Sequence, residues 1–341
     1  MVLNKITKTD GAKEKISNNI LKWFNGREQI LNVISLPYNS SEIFLNAIFE
    51  CINQGKKVLY ITHEDENNIE IIELIKKLTS FRDYTYSKGK DEYINSILVL
   101  CDYDSAARLK ESFDLVIYDD IRSFPKYSNY EIIDIMRCRI KSGGKLMTYS
   151  VESVFKMGSD LILPVSDNQL PMVEPRIITT RIDVNKDIPF VVYEYLNWSI
   201  DSDRKVIVYV PDDEKVENVS KYLSGYRKEF SKNIFHSTND DKNKKHLLNF
   251  NKSKKGILVT DCFEDFLTDY KGVDVMVYFA EHKIFSYKKL VYFCGKAGRG
   301  EKFIRGEVIF LSSEKSDDMA KAKDITRRFN KEAWQEGLLN F

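Results

Sequence analysis

The chain has 341 residues, 43% of them hydrophobic and 30% charged, and its 52 Lys and Arg against 51 Asp and Glu leave a formal charge of +1. That length suits two packed domains of ~150 residues each. The near-neutral balance excludes a global field that would draw the chain to nucleic acid or an anionic membrane, so any such attraction has to be local. The five cysteines, Cys51, Cys101, Cys138, Cys262 and Cys294, are scattered with no Cys-x-x-Cys spacing, which argues for reduced thiols and against a structural zinc site. No apolar run approaches the ~20 residues of a spanning helix, and the first residues carry no secretory hydrophobic core, so a cytoplasmic location without membrane insertion is expected.

In chain order, short β-branched runs at Ile30–Ile34, Val58–Thr62, Ile97–Leu100, Leu115–Tyr118 and Leu146–Tyr149 read as buried parallel strands. The stretches Ser41–Gln54, Asn67–Leu78 and Tyr130–Lys141 carry apolar residues at helical spacing, as βαβ crossovers require. After Tyr149 the periodicity loosens through Pro164, Pro171 and Pro175, and the polar stretch Ile182–Pro189 follows. A boundary is placed there, giving domains 1–190 and 191–341, with the separation expected between Asp183 and Asp203. The alternation then restarts with strands Lys205–Val210, Asn233–Phe235, Gly256–Thr260, Val273–Phe279 and Gly306–Leu311. Helices are expected at Asp213–Leu223, Asp240–Phe250 and about Ser316–Trp334. Two α/β domains follow, each a mainly parallel sheet flanked by helices. Periodicity alone would equally suit two unrelated Rossmann-type domains, but no Gly-x-Gly-x-x-Gly turn is present.

Two segments carry a resemblance: the strand-like Val273-Asp-Val-Met-Val-Tyr-Phe-Ala-Glu-His-Lys-Ile-Phe285, and Leu290-Val-Tyr-Phe-Cys-Gly-Lys-Ala-Gly-Arg299 after it. The second resembles the end of a superfamily 2 (DEAD/DEAH-like) helicase motor, where a helix closes on Gly-Arg-x-Gly-Arg and its arginines stabilise charge on ATP phosphates. With the Ala280-Glu-His-x-x-Phe285 approach, it is similar to the ComFA family of helicase-like competence ATPases of DNA uptake. The resemblance implies two tandem RecA-like domains and places Gly295, Gly298 and Arg299 in the motif. Lys296 stands where its first arginine would be and Tyr292 where its glutamine would be. The four-cysteine zinc module that the family often carries near its N-terminus has no counterpart among these cysteines, so no zinc is expected.

Carried along the chain, the same resemblance meets conserved chemistry in one place and replaced chemistry in others. A phosphate-binding loop uses Gly-x-x-x-x-Gly-Lys-[Ser/Thr] so that backbone N–H groups and a lysine reach phosphate and a hydroxyl reaches Mg²⁺. The matching turn, Leu36-Pro-Tyr-Asn-Ser-Ser-Glu42, has no glycine and no lysine, and puts Ser40 at the lysine position and Ser41 at the hydroxyl position. Read from its residues alone, it is a strand-to-helix turn with a serine N-cap. The segment Asp114-Leu-Val-Ile-Tyr-Asp-Asp-Ile-Arg-Ser-Phe-Pro125 is similar to the family's Asp-Glu-x-Asp-x-Phe-Pro. There Asp119 keeps the Mg²⁺-organising carboxylate, Asp120 replaces the water-orienting glutamate and Arg122 reverses a charge. Seven basic residues lie between Lys283 and Arg305 against one acid, Glu301. A phosphate-tracking surface on the second domain is expected from Lys288 and Lys289, with Tyr292 available for stacking.

The sequence therefore leads to a ComFA-like helicase or translocase homologue acting on single-stranded DNA in competence. Asp119, Asp120 and Arg299 are its catalytic candidates and Ser40, Ser41 and Lys296 its nucleotide-facing ones. ATP with Mg²⁺ is the cofactor that the resemblance implies, with binding expected to be weak or absent. Single-stranded DNA and competence-machinery proteins are the implied partners, the latter able to hold the protein near the inner face of the membrane. The competing class is a non-catalytic pseudo-helicase scaffold for DNA or a protein partner.

Overall fold

The computed structural model of the chain describes residues 11–89, 94–166, 169–226, 228–239, 245–263, 273–298 and 306–339. It divides into two compact units, Met1–Pro171 with Glu332–Phe341, and Met172–Lys331.

In unit 1, helix α1 (Gly11–Asn25) precedes β1 (Ile30–Ser35), which runs through a turn into one 3-10 turn (Ser41–Phe44) and α2 (Leu45–Asn53). The remaining elements are β2 (Val58–Thr62), α3 (Glu70–Leu78), β3 (Tyr84–Tyr86), β4 (Leu98–Cys101), α4 (Tyr103–Arg108), β5 (Phe113–Asp119), α5 (Asn129–Arg139), β6 (Ile140–Ser150) and β7 (Ser159–Leu163). The strands form one sheet in the order β3-β4-β2-β5-β6-β1-β7, every pairing parallel. Strands covered on both faces read as unbroken apolar runs, and β2 and β4 are buried at every residue. Leu59, Ile61, Val99, Val116 and Tyr118 pack against Ile132 and Met136 of α5, whose start is fixed by a capping box between Ser128 and Glu131. Register then sets the site: Thr62 lies opposite Asp119, Asp119 opposite Tyr149, and Tyr149 opposite Val33. The C-terminal ends of β1, β2, β5 and β6 thus finish close to one level, the edge where open α/β sheets bind ligands.

One buried side chain ties this edge together. Asn32 of β1 donates to Phe155 O (3.0 Å) and Asp160 Oδ1 (2.8 Å), and its oxygen accepts from Thr148 Oγ1 and from the N–H groups of Val154 and Phe155. The loop leaving β6 is thereby fastened to the strand that feeds the Leu36–Glu42 turn.

Unit 2 contains β8 (Arg176–Thr179), α6 (Phe190–Asp201), β9 (Lys205–Tyr209), α7 (Asp213–Tyr226), α8 (Lys228–Asn233), β10 (Ile234–Ser237), α9 (Lys245–Lys252), β11 (Gly256–Thr260), β12 (Val273–Tyr278), α10 (Tyr287–Lys296) and β13 (Val308–Ser312). Helix α11 (Asp317–Gln335) follows and runs past the division at Lys331. The second sheet, in the order β10-β11-β9-β12-β13-β8, is again parallel throughout. The bidentate pair Arg204–Asp274 (2.7 and 2.6 Å) closes its N-terminal edge.

The division differs from the 190/191 boundary read from the sequence. Arg176–Thr179 pairs with β13, which brings the chain from Met172 onward into unit 2. The stretch Asp183–Asp203, expected as a separation, holds α6, and Val184, Ile188, Val192, Leu196 and Ile200 are all buried in the unit 2 core. The architecture is a mixed α/β fold with two parallel sheets flanked by helices. Among the described residues no helix is long and apolar enough to cross a membrane.

Candidate functional site at the C-terminal edge of the first sheet

The turn after β1 is a strained strand-to-helix connection. Tyr38 has φ +65°, in the left-handed region that a residue with a Cβ rarely adopts, and its N–H donates to Ile121 O at 2.9 Å. Ser40 is the N-cap of the following 3-10 turn, its Oγ accepting from Glu42 N at 3.2 Å, while its carbonyl accepts from Tyr149 Oη at 3.3 Å. Asn39 is held by Ser35 Oγ (2.8 Å) and Val165 O (2.9 Å). The connection is therefore fixed from both sides.

Ser41 and Asp119, far apart in sequence, meet here: Ser41 Oγ lies 3.1 Å from Asp119 Oδ2. Tyr60 Oη donates a short hydrogen bond to the same carboxylate oxygen, and Ile121 N–H donates to Oδ1 at 2.9 Å. Asp119 is completely buried, and that burial pushes its carboxyl up to about 6 in spite of these donors. Asp120 is equally buried, and its N–H donates to Tyr149 O at 2.9 Å.

A second carboxylate reaches the turn from α3. Glu70 Oε2 accepts from Ser41 N–H at 2.7 Å and lies 3.0 Å from Ser41 Oγ. Arg122 Nε stands 3.4 Å from the same oxygen and 3.7 Å from Glu64 Oε2, and Arg122 Nη1 donates to Tyr38 O at 3.1 Å. Desolvation works against the Arg122 cation, but Glu70, Glu64 and Asp119 outweigh it and raise its affinity for the proton. Burial, with the Asp119 charge adding to it, pushes Glu64 up to about 8. Arg122 is the residue that reverses the expected charge. Glu70, Glu64, Tyr60 and Tyr149 had no signal of their own, because they arrive from separate elements and, in the strands, look like ordinary parts of apolar runs.

In unit 2, Lys296 ends α10 and is buried. Its ammonium donates to Tyr209 Oη (3.0 Å) and Phe263 O (3.1 Å) and lies over the Tyr209 and Phe293 rings. Lys288 is 6% exposed and Tyr292 0%, so neither offers its polar head or ring to solvent, whereas Lys289 is half-buried. Gly298 has φ +71°, and a Cβ on Gly306 would meet Gly298 N at 2.4 Å, so the two glycines allow a backbone approach that no side chain would permit. Arg299, with Lys302, Arg305, Phe266 and Leu267, lies outside the described residues. Among the described residues no cluster of His, Cys, Asp and Glu is arranged to hold a metal ion.

Against known proteins, no family model matches the chain. It is 21% identical over 299 residues to competence protein ComFA of Bacillus subtilis, covering 83% of this chain and 64% of that protein. To competence protein ComFA of Streptococcus pneumoniae it is 22% identical over 263 residues, covering 72% and 60%. The chain is thus similar to ComFA proteins over most of its length. It spans about three-fifths of the length of these ComFA relatives.

Solved structures give the fold. The Mycobacterium smegmatis helicase Lhr bound to ssDNA and AMP-PNP superposes with TM-score 0.53 at 11% identity, over 96% of this chain and 48% of Lhr. RecG bound to a three-way DNA junction gives 0.56 at 13%, over 97% and 47%. Dbp5 of S. cerevisiae bound to RNA and ADP BeF3 gives 0.53 at 12%, over 98% and 93%. The two units thus share the tandem RecA-like fold of these helicases.

Proposed function

We propose that this ComFA-like chain acts on single-stranded DNA in competence, as a helicase-like binding protein whose ATP hydrolysis is impaired or lost. The observation that carries the reading is the Leu36–Glu42 turn. A Mg²⁺-triphosphate needs free backbone N–H groups, a lysine and a metal-facing hydroxyl. Here the turn has no lysine, the Ser41 N–H and hydroxyl face carboxylates of the same chain, and Tyr38 brings bulk where backbone would have to approach phosphate. Asp119, the family's metal-organising carboxylate, already accepts from Tyr60 and Ile121 N–H. These residues do not fit a tightly held Mg-ATP. The shorter Asp120 in place of glutamate adds to this, since misplacement by about an ångström costs ~10²-fold in rate.

Isothermal titration with Mg-ATP, and phosphate release with and without single-stranded DNA, test the reading. The expected result is no saturable binding in the micromolar range and no DNA-stimulated turnover. Low-micromolar affinity with turnover abolished by Asp119→Asn would overturn it. A second reading, a scaffold for a protein partner, is favoured by the exposed Phe190 (73%), Val191 (47%) and Trp198 (48%) on α6. Absence of DNA binding at low salt would select it.

A further inference from the structure

Glu70 lies outside every motif that the resemblance assigns, yet it makes the contacts that a phosphate would make. Its Oε2 takes the Ser41 N–H at 2.7 Å, lies 3.0 Å from Ser41 Oγ, and faces Arg122 Nε at 3.4 Å. A backbone amide, a hydroxyl and a cation are the donor types of a phosphate-binding loop, and guanidinium serves carboxylate and phosphate alike. The positive charge that the turn lost with its lysine is supplied from the far side of the site by Arg122, whose Nη1 also holds the Tyr38 carbonyl. We propose that Glu70 is a built-in oxyanion: with Arg122 it occupies the place of phosphate at Ser41 and closes the turn to external anions. This rests on reading Leu36–Glu42 as the counterpart of a phosphate loop.

Tethering explains why the closure is effective. A carboxylate fixed on α3 acts at an effective concentration in the millimolar range or above, so a free anion must outcompete a ligand that never leaves. The Asp119 charge, which also acts on Arg122, leaves still less positive charge to recruit one. The contact also has a stabilising side, because it satisfies the Ser41 N–H and offsets the Arg122 charge in a largely enclosed place.

The test uses the full chain and inorganic pyrophosphate, followed by thermal unfolding at neutral pH. Wild type is expected not to respond. Glu70→Ala should melt lower in plain buffer and recover by roughly 3–5 °C at pyrophosphate about tenfold above its dissociation constant. Glu70→Gln, which keeps the volume and an acceptor for Ser41 N–H, guards against loss of fold and should respond more weakly. Adding Arg122→Gln to either variant should abolish the response. A wild type that responds like Glu70→Ala, or folded Glu70 variants that ignore pyrophosphate, would overturn the proposal. Mg-ATP titration of the wild type reports separately on the loss of nucleotide turnover, so a negative pyrophosphate result leaves that reading to stand or fall alone.

Discussion

Glu64, 3.7 Å from Arg122 Nε, has its carboxyl raised from the ordinary 4.5 to about 8 by burial and by the Asp119 charge. The proton is therefore bound more tightly in the folded chain than in the unfolded one. For a raised acid the stabilising contribution is fully present below the unfolded value and is lost as pH rises through the folded one. Asp119, raised to about 6, works in the same direction over a lower window. The expected outcome is that denaturant unfolding of unit 1 becomes easier from about pH 4.5 to about pH 8, and that Glu64→Gln flattens the upper part of this slope. An unchanged slope in Glu64→Gln would remove Glu64 as its source. Ser41 and Asp119 were singled out in the sequence only by the resemblance, as separate positions, and their 3.1 Å contact carried no signal there. The Glu70 and Arg122 contacts were not legible either, since opposite charges 52 positions apart carry no periodic signal and only the β5 and α3 placements bring them together.

At the scale of elements, the strongly apolar strands and the amphipathic helices between them were readable: β1, β2, β4, β5, β9, β11, β12 and β13 fall within a residue or two of expectation at most ends. The failures share a cause. β7 and β8 are short, half-exposed strands whose place is set by pairing with β1 and β13, not by their own composition. Helix α6 was missed because it is apolar nearly all round: Phe190, Val191 and Trp198 are exposed while Val192, Leu196 and Ile200 are buried, so the 3.6-residue stripe is blurred. The polar run before it then looked like a linker. Leu196 separates the two interpretations. It is completely buried in the unit 2 core, and Leu196→Ala should cost about 2–5 kcal/mol of unfolding free energy by chemical denaturation. A near-neutral result would be the behaviour of a linker residue and would take α6 out of the core.

For the whole molecule, a formal charge of +1 supplies no long-range pull toward a polyanion. The proposed binding of single-stranded DNA then depends on which lysines can reach a phosphate. Of the seven basic residues between Lys283 and Arg305, Arg299, Lys302 and Arg305 lie outside the described residues, and Lys288 and Lys296 are buried. Lys283 is exposed and Lys289 half-buried, which makes these two the described residues to test. Each contact on a single strand contributes about −0.7 to the slope of log K against log salt. Replacing Lys283 and Lys289 together should flatten the slope by roughly 1.4 and weaken binding equally on oligonucleotides of unrelated sequence, because phosphate contacts carry no base information. Lys288→Ala should leave the slope where it was, its ammonium being withdrawn from solvent. Fluorescence anisotropy over a salt series measures both quantities. A sequence-dependent loss, or a slope that responds to Lys288 and not to Lys283 and Lys289, would place the DNA elsewhere on the chain. No binding by the wild type at low salt would leave these lysines as solvated charge and shift the function toward the exposed aromatic face of α6.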